Sequence, residues 1–121
     1  MKAARFIDVE QIKFSDEAIP KAKADEIVIK VKASGICGTD HHIYKGEVKG
    51  LVKPGTVLGH EFAGEVTEVG KGVGNFQIGD RIAVEPNLFC GACHYCRNAK
   101  KHFCEHWQRI VTGKQIGRAH V

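Results

Sequence analysis

The chain has 121 residues, enough for one domain with a modest core and too few for two. Its composition, 43% hydrophobic and 26% charged, excludes a fibrous or intrinsically disordered chain, and its formal charge of +4 is modest. No apolar run is long enough to span a membrane and no export signal begins the chain, so we expect a cytoplasmic protein.

Most of the chain has the pattern of short strands. We predict strands at residues 2–9, 27–33, 61–69 and 81–85. In the second of these, Ile27, Ile29, Val31 and Ala33 alternate with Val28 and two lysines, which is the period of a half-buried strand. Helical character is limited to residues 39–44 and to parts of the cysteine-rich segment. Short strands between glycine-rich turns predict a mainly β barrel or sandwich.

A glycine cluster follows the third predicted strand, at Gly70, Gly72 and Gly74. The dinucleotide fingerprint Gly-x-Gly-x-x-Gly would require glycine where Asn75 stands, and no amphipathic helix follows. We interpret these glycines as turn residues that tolerate positive φ, and we expect no cofactor contact here.

Four of the five cysteines form a C-x2-C-x2-C-x7-C run, at Cys90, Cys93, Cys96 and Cys104. Their tight spacing without an export signal favours thiolate metal ligands over disulfides. The bacterial iron–sulfur run has three residues before its last cysteine and a proline after it, whereas here seven intervene and Glu105 follows, so zinc is favoured. Free cysteines packed as small apolar residues are the other interpretation. A closed four-thiolate zinc site would order the loop.

Basic residues also cluster in this segment, at Arg97, Lys100, Lys101 and His102. Such a cluster is more typical of a solvated face than of a nucleic-acid site.

The fifth cysteine, Cys37, begins a second group of candidate ligands, together with His60 and Glu61 further along the chain. Cys37 follows a predicted strand at the start of a short helix, where amide dipoles stabilise a thiolate. Asp40 is suited to orienting a histidine ligand, and a hydroxyl such as that of Thr39 to passing a proton outward. Spacing alone does not make this group specific.

The segment from Gly59 to Val73, GHEFAGEVTEVGKGV, resembles the signature of the zinc-containing medium-chain alcohol and polyol dehydrogenases. The cysteine run resembles their structural-zinc lobe, and Gly79-Asp80-Arg81 resembles their Gly-Asp-x-Val turn. The resemblance implies a GroES-like β-barrel with short helices over residues 1–114, with a structural-zinc lobe at 86–106. In the family, a Rossmann domain that binds NAD or NADP follows, and we expect it to be absent from this chain.

The resemblance also implies two zinc sites and a role for each ligand. Cys37 and His60 would bind the catalytic zinc, with Glu61 bound to it or next to it. The structural zinc would be held by the four clustered thiolates: Cys90, Cys93, Cys96 and Cys104.

The same resemblance implies roles for three further residues. Thr39 would bond to the substrate alcohol, whose proton would leave toward the cofactor ribose and His42. Asp40 would orient His60.

The implied activity is NAD- or NADP-dependent oxidation of an alcohol, in which zinc lowers the pKa of the hydroxyl and a hydride passes to the nicotinamide. Gly38 stands where several alcohol dehydrogenases have a basic residue, and Cys-Gly-Thr-Asp-x-His is more similar to the sorbitol, butanediol and threonine dehydrogenase groups. We therefore expect a secondary alcohol or polyol as the substrate. We expect neither nucleic acid nor a membrane as a partner, and a homo-oligomeric full-length enzyme.

The chain ends before the family's third zinc ligand. Residues 115–121 can be encoded by codons that resemble a sequencing-library adapter, so we predict a non-native tail there and an inactive fragment. Two alternatives have other functions. A stand-alone zinc module would bind nucleic acid or protein, with steep salt dependence for nucleic acid. A co-chaperonin-like ring would give zinc ligands no role.

Overall fold

The computed structural model describes residues 1–48, 50 and 52–109. Within these ranges the fold is mainly β, as predicted, with eight strands: β1 (Lys2–Asp8), β2 (Gln11–Asp16), β3 (Ile27–Ser34), β4 (Thr56–Val57), β5 (Phe62–Val69), β6 (Arg81–Ala83), β7 (Asn87–Leu88) and β8 (Gln108–Arg109). The helical elements are α1 (Gly38–Tyr44), α2 (His94–Arg97) and a 3-10 turn (Lys101–Phe103). No helix in these ranges is long and apolar enough to cross a membrane. The predicted tail at 115–121 and the boundary at 114 lie outside them.

The strands form three antiparallel sheets. The strand orders are β2-β1-β4, β3-β5-β6 and β7-β8. The four predicted strands are present with ends that differ by one or two residues. The two-residue strands β4, β7 and β8 were not predicted, and neither was the longer β2. It escaped prediction because the β1–β2 turn uses Glu10, at φ 58°, and no glycine or asparagine marks the turn. The Glu10 N–H donates to the Tyr44 carbonyl at 2.7 Å, which ties this turn to the end of α1.

A core cluster lies on the β3-β5-β6 sheet. Val66 is fully buried against Ile27 and Ile29. The predicted alternation in β3 is wrong at Val28, which is also buried, and at Val31 and Ala33, which are exposed. Burial instead follows the position along the strand, because residues 27–29 are covered on both faces of the sheet and residues 30–34 on neither.

Residue 70 must be glycine, but for a different reason from the one that the sequence suggested. Positive φ was expected at Gly70, Gly72 and Gly74, and none of the three has it. Instead, a Cβ on Gly70 would lie 1.9 Å from the Lys23 carbonyl oxygen. The Gly70 N–H donates to the Glu26 carbonyl at 2.8 Å, so the end of β5 packs directly on the backbone before β3.

Candidate metal centres

The cysteine lobe brings its four sulfur atoms within 4.8 Å of one another. α2 and the 3-10 turn fold the chain back on itself, so that Cys96 and Cys104 are buried while Cys90 stays exposed. Backbone N–H groups point at the sulfurs: Cys93 donates to Cys90 Sγ at 3.3 Å, and Cys90 donates to Cys104 Sγ at 3.3 Å. Such bonds stabilise thiolates.

The thiols of this lobe differ in acidity. Backbone N–H groups, first that of Cys96 and then that of Glu105, lower the pKa of Cys93 to about 6. Burial, followed by the hydrogen bond with Cys93, raises the pKa of Cys96 to about 12. Four sulfurs this close cannot all be ionised without a cation between them, because the thiolates repel one another. The donor set fits zinc, which accepts four thiolates in a closed tetrahedral site.

A second group joins Cys37, His60 and Glu61, whose ligand atoms also lie within 4.8 Å of one another. The three offer one sulfur, one imidazole nitrogen and one carboxylate oxygen, a mixed set that fits zinc with room for a further ligand. His60 is only 2% exposed, whereas Glu61 is exposed and Cys37 half-buried.

The β3–β5 ladder brings these distant segments together. Ser34, the last residue of β3, pairs with Phe62, the first residue of β5. One step further, the Gly35 N–H donates to the Glu61 carbonyl at 2.8 Å. The register of this sheet therefore places the start of α1 beside the residues that precede β5.

Asp40 connects two members of this group. Its Oδ2 accepts a hydrogen bond from the Cys37 backbone N–H at 2.9 Å, which caps α1. Its Oδ1 lies 3.6 Å from His60 Nδ1, and both atoms are buried without a hydrogen-bond partner in the structure. Asp40 and His60 therefore face each other, although 3.6 Å is too long for a hydrogen bond.

The two predicted proton carriers lie in different surroundings. The Thr39 hydroxyl is 3.7 Å from Cys37 Sγ, within reach of a sulfur hydrogen bond. His42 is outside the ligand group, with a side chain 55% exposed and its Nδ1 paired with the Glu47 carboxylate. The hydrogen bond from His42 lowers the pKa of Glu47. Glu47 was not predicted, because a separation of five residues across the end of a helix is not a helical contact.

The model of the alcohol dehydrogenase GroES-like domain matches residues 23–119. The chain therefore belongs to this family, and the family and fold expected from the sequence are confirmed.

Curated relatives are dehydrogenases. The chain is 43% identical, over 85% of its length, to D-arabitol-phosphate dehydrogenase of Enterococcus avium, and 41% identical, over 93%, to sorbitol dehydrogenase of Bacillus subtilis. Other relatives are L-threonine 3-dehydrogenases. The chain spans 29% and 32% of the first two proteins, about a third of their length.

The solved structures agree in fold. A zinc-binding dehydrogenase of Sinorhizobium meliloti bound to NADP matches with a TM-score of 0.77 and 38% identity. The match covers 92% of this chain and 32% of that one.

Proposed function

We propose that this chain is the N-terminal part of a zinc-dependent dehydrogenase that oxidises a secondary alcohol or polyol to the ketone with NAD or NADP. One observation carries the proposal. In a domain of this family, the ligand atoms of Cys37, His60 and Glu61 lie within 4.8 Å of one another. Relatives named for sorbitol, D-arabitol phosphate and L-threonine support the substrate class.

These three residues would hold the catalytic zinc, as thiolate, neutral imidazole and carboxylate. Bound there, zinc would supply Lewis-acid chemistry that lowers the pKa of the substrate hydroxyl. A set of three protein ligands leaves a position for substrate.

Asp40 would fix the tautomer of His60. Its Oδ1 faces His60 Nδ1 at 3.6 Å in a buried place, so a proton on Nδ1 is favoured there. The lone pair of Nε2 is then left for the metal.

Thr39 would accept the proton of the substrate hydroxyl. Its hydroxyl lies next to the thiol of Cys37, 3.7 Å from Sγ, and can donate its own proton onward as it accepts another. His42, exposed and paired with Glu47, would be the end of this path at the surface.

The cysteine lobe would hold a second zinc without substrate access. Its four sulfurs supply the closed thiolate set of a structural site, so the role of this zinc is to order residues 86–106.

We do not expect the 121-residue chain to oxidise alcohols by itself. Hydride transfer needs a nicotinamide held at near-attack distance from the carbinol carbon, and the sequence contains no dinucleotide fingerprint.

A chimera tests this function. Residues 1–114 would replace the corresponding N-terminal segment of the Bacillus subtilis sorbitol dehydrogenase, and oxidation of sorbitol, D-arabitol phosphate and L-threonine would be assayed with NAD and with NADP. We expect oxidation of at least one substrate and its loss in Cys37→Ser. A folded chimera that binds cofactor and zinc but oxidises none of them, or one that is equally active as Cys37→Ser, would contradict the proposal.

A further inference from the structure

Gly35 lies against the side chain of Glu61, two positions before Cys37. A Cβ built on Gly35 would be 3.3 Å from Glu61 Oε2 and 3.7 Å from Glu61 Cβ. The first distance is tighter than most real Cβ contacts, so an alanine here would push the carboxylate by a few tenths of an ångström. Metal–ligand distances hold to about ±0.2 Å, so a shift of that size disturbs a ligand. The present position of the Glu61 carboxylate therefore depends on residue 35 having no side chain.

The backbone at this point has little freedom to relieve such a contact. The Gly35 N–H donates to the Glu61 carbonyl at 2.8 Å, directly beyond the pairing of Ser34 with Phe62. The Glu61 side chain is exposed and can rotate into solvent. A methyl group at residue 35 would consequently displace the carboxylate and leave the two strands in place.

We propose that Gly35 is a positioning residue for the metal centre. By lacking a side chain, it lets the Glu61 carboxylate lie within ligand distance of Cys37 and His60. The proposal rests on the proposed function, since it requires that this group binds zinc.

The test is a double-mutant cycle on zinc affinity in the full 121-residue chain. Zinc would be titrated against a chromogenic chelator in wild type, Gly35→Ala, Glu61→Ala and the double variant. With three protein ligands against four thiolates, this site should hold zinc more weakly than the cysteine lobe. The weaker class of zinc would be assigned to it by its loss in Cys37→Ser. We expect Gly35→Ala to lower the zinc affinity of this site by up to about 10-fold, the lower end of the range for loss of a group that orients a ligand. In the Glu61→Ala background the same change should have no further effect.

Gly38→Ala is the matched control. Gly38 is also close to Cys37 in sequence, has no positive φ, and a Cβ there would meet no atom of the described residues within 4 Å. The Gly38→Ala variant should bind zinc with the same affinity as wild type. Gly35 also lacks positive φ, so alanine introduces no backbone strain at either position.

The outcomes separate the two hypotheses. Unchanged affinity in Gly35→Ala, or an equal loss with and without Glu61, would overturn the role of Gly35 while leaving the metal site intact. If the weaker class of bound zinc persists in Cys37→Ser, the site formed by Cys37, His60 and Glu61 is refuted, and this proposal with it. If Gly35→Ala fails to fold, folding of the double variant would support the contact with Glu61, and its failure would overturn it.

Discussion

Asp40 and His60 face each other inside the domain, with Oδ1 and Nδ1 3.6 Å apart and each atom buried without a hydrogen-bond partner in the structure. The other oxygen of Asp40 is bonded to the backbone N–H of Cys37 at 2.9 Å. One carboxylate therefore links the start of α1, where Cys37 lies, to the imidazole that precedes β5.

Replacing Asp40 with asparagine should weaken zinc binding at the Cys37 site about 10- to 100-fold, as is typical when a carboxylate that orients a metal-binding histidine is lost. Asparagine can still cap α1, because its carbonyl oxygen accepts the Cys37 N–H. Chelator competition would measure the affinity, and ¹⁵N chemical shifts of the imidazole would report a reduced population of the Nδ1–H tautomer.

Asp16→Asn provides the control, since Asp16 is exposed and pairs with Lys2 at the surface. An Asp40→Asn protein with wild-type zinc affinity and an unchanged His60 tautomer would show that Asp40 acts only as a helix cap.

Four of the eight described strands and the ligand types could be predicted from the sequence, because both depend on local patterns. The proximity of Cys37 to His60 could not, because it depends on the register between β3 and β5, which two bulges shift. The burial of His60 depends on the same packing. The resemblance to a known family supplied this pairing, and the structure agrees with it.

Gly70 shows a second limit of reading the sequence alone. Its requirement for glycine comes from the Lys23 carbonyl, which is distant in sequence and unrelated to turn geometry. No local pattern contains that information.

Gly70→Ala should lower the free energy of unfolding by about 3 kcal/mol, the upper end of the range for overpacking, because the new methyl would meet backbone and not a movable side chain. Gly74→Ala is the comparison, since a Cβ there has no atom within 4 Å in the part of the chain that the structure describes, and the residue lacks positive φ. Urea denaturation would measure both, and similar stabilities for the two variants would disprove the close approach.

The acidity of Cys93 predicts a pH dependence for the cysteine lobe. With its pKa lowered to about 6, Cys93 is mostly ionised at pH 7 and loses that ionisation as the pH falls through 6. Cys96, with its pKa raised to about 12, is protonated throughout this range. Zinc binding at pH 5 should therefore release about one more proton than at pH 7, and the affinity should fall accordingly.

Calorimetry in buffers of different protonation enthalpy would count these protons, with Cys37→Ser as the background so that only the cysteine lobe is expected to bind zinc. The increase should vanish in Cys93→Ser, which lacks the acidic thiol. A proton count that is the same at pH 5 and pH 7 in the Cys37→Ser chain with Cys93 intact would contradict the assignment of the low pKa to Cys93.

The central claim is that this domain holds zinc at two places, one of them formed by Cys37, His60 and Glu61. Anomalous diffraction at the zinc absorption edge, from crystals of the zinc-loaded chain, tests it most directly. We predict one peak among the sulfurs of Cys90, Cys93, Cys96 and Cys104, and a second peak among the three ligand atoms of the Cys37 group. A single peak at the four cysteines, with no density beside Cys37 at saturating zinc, would contradict the account.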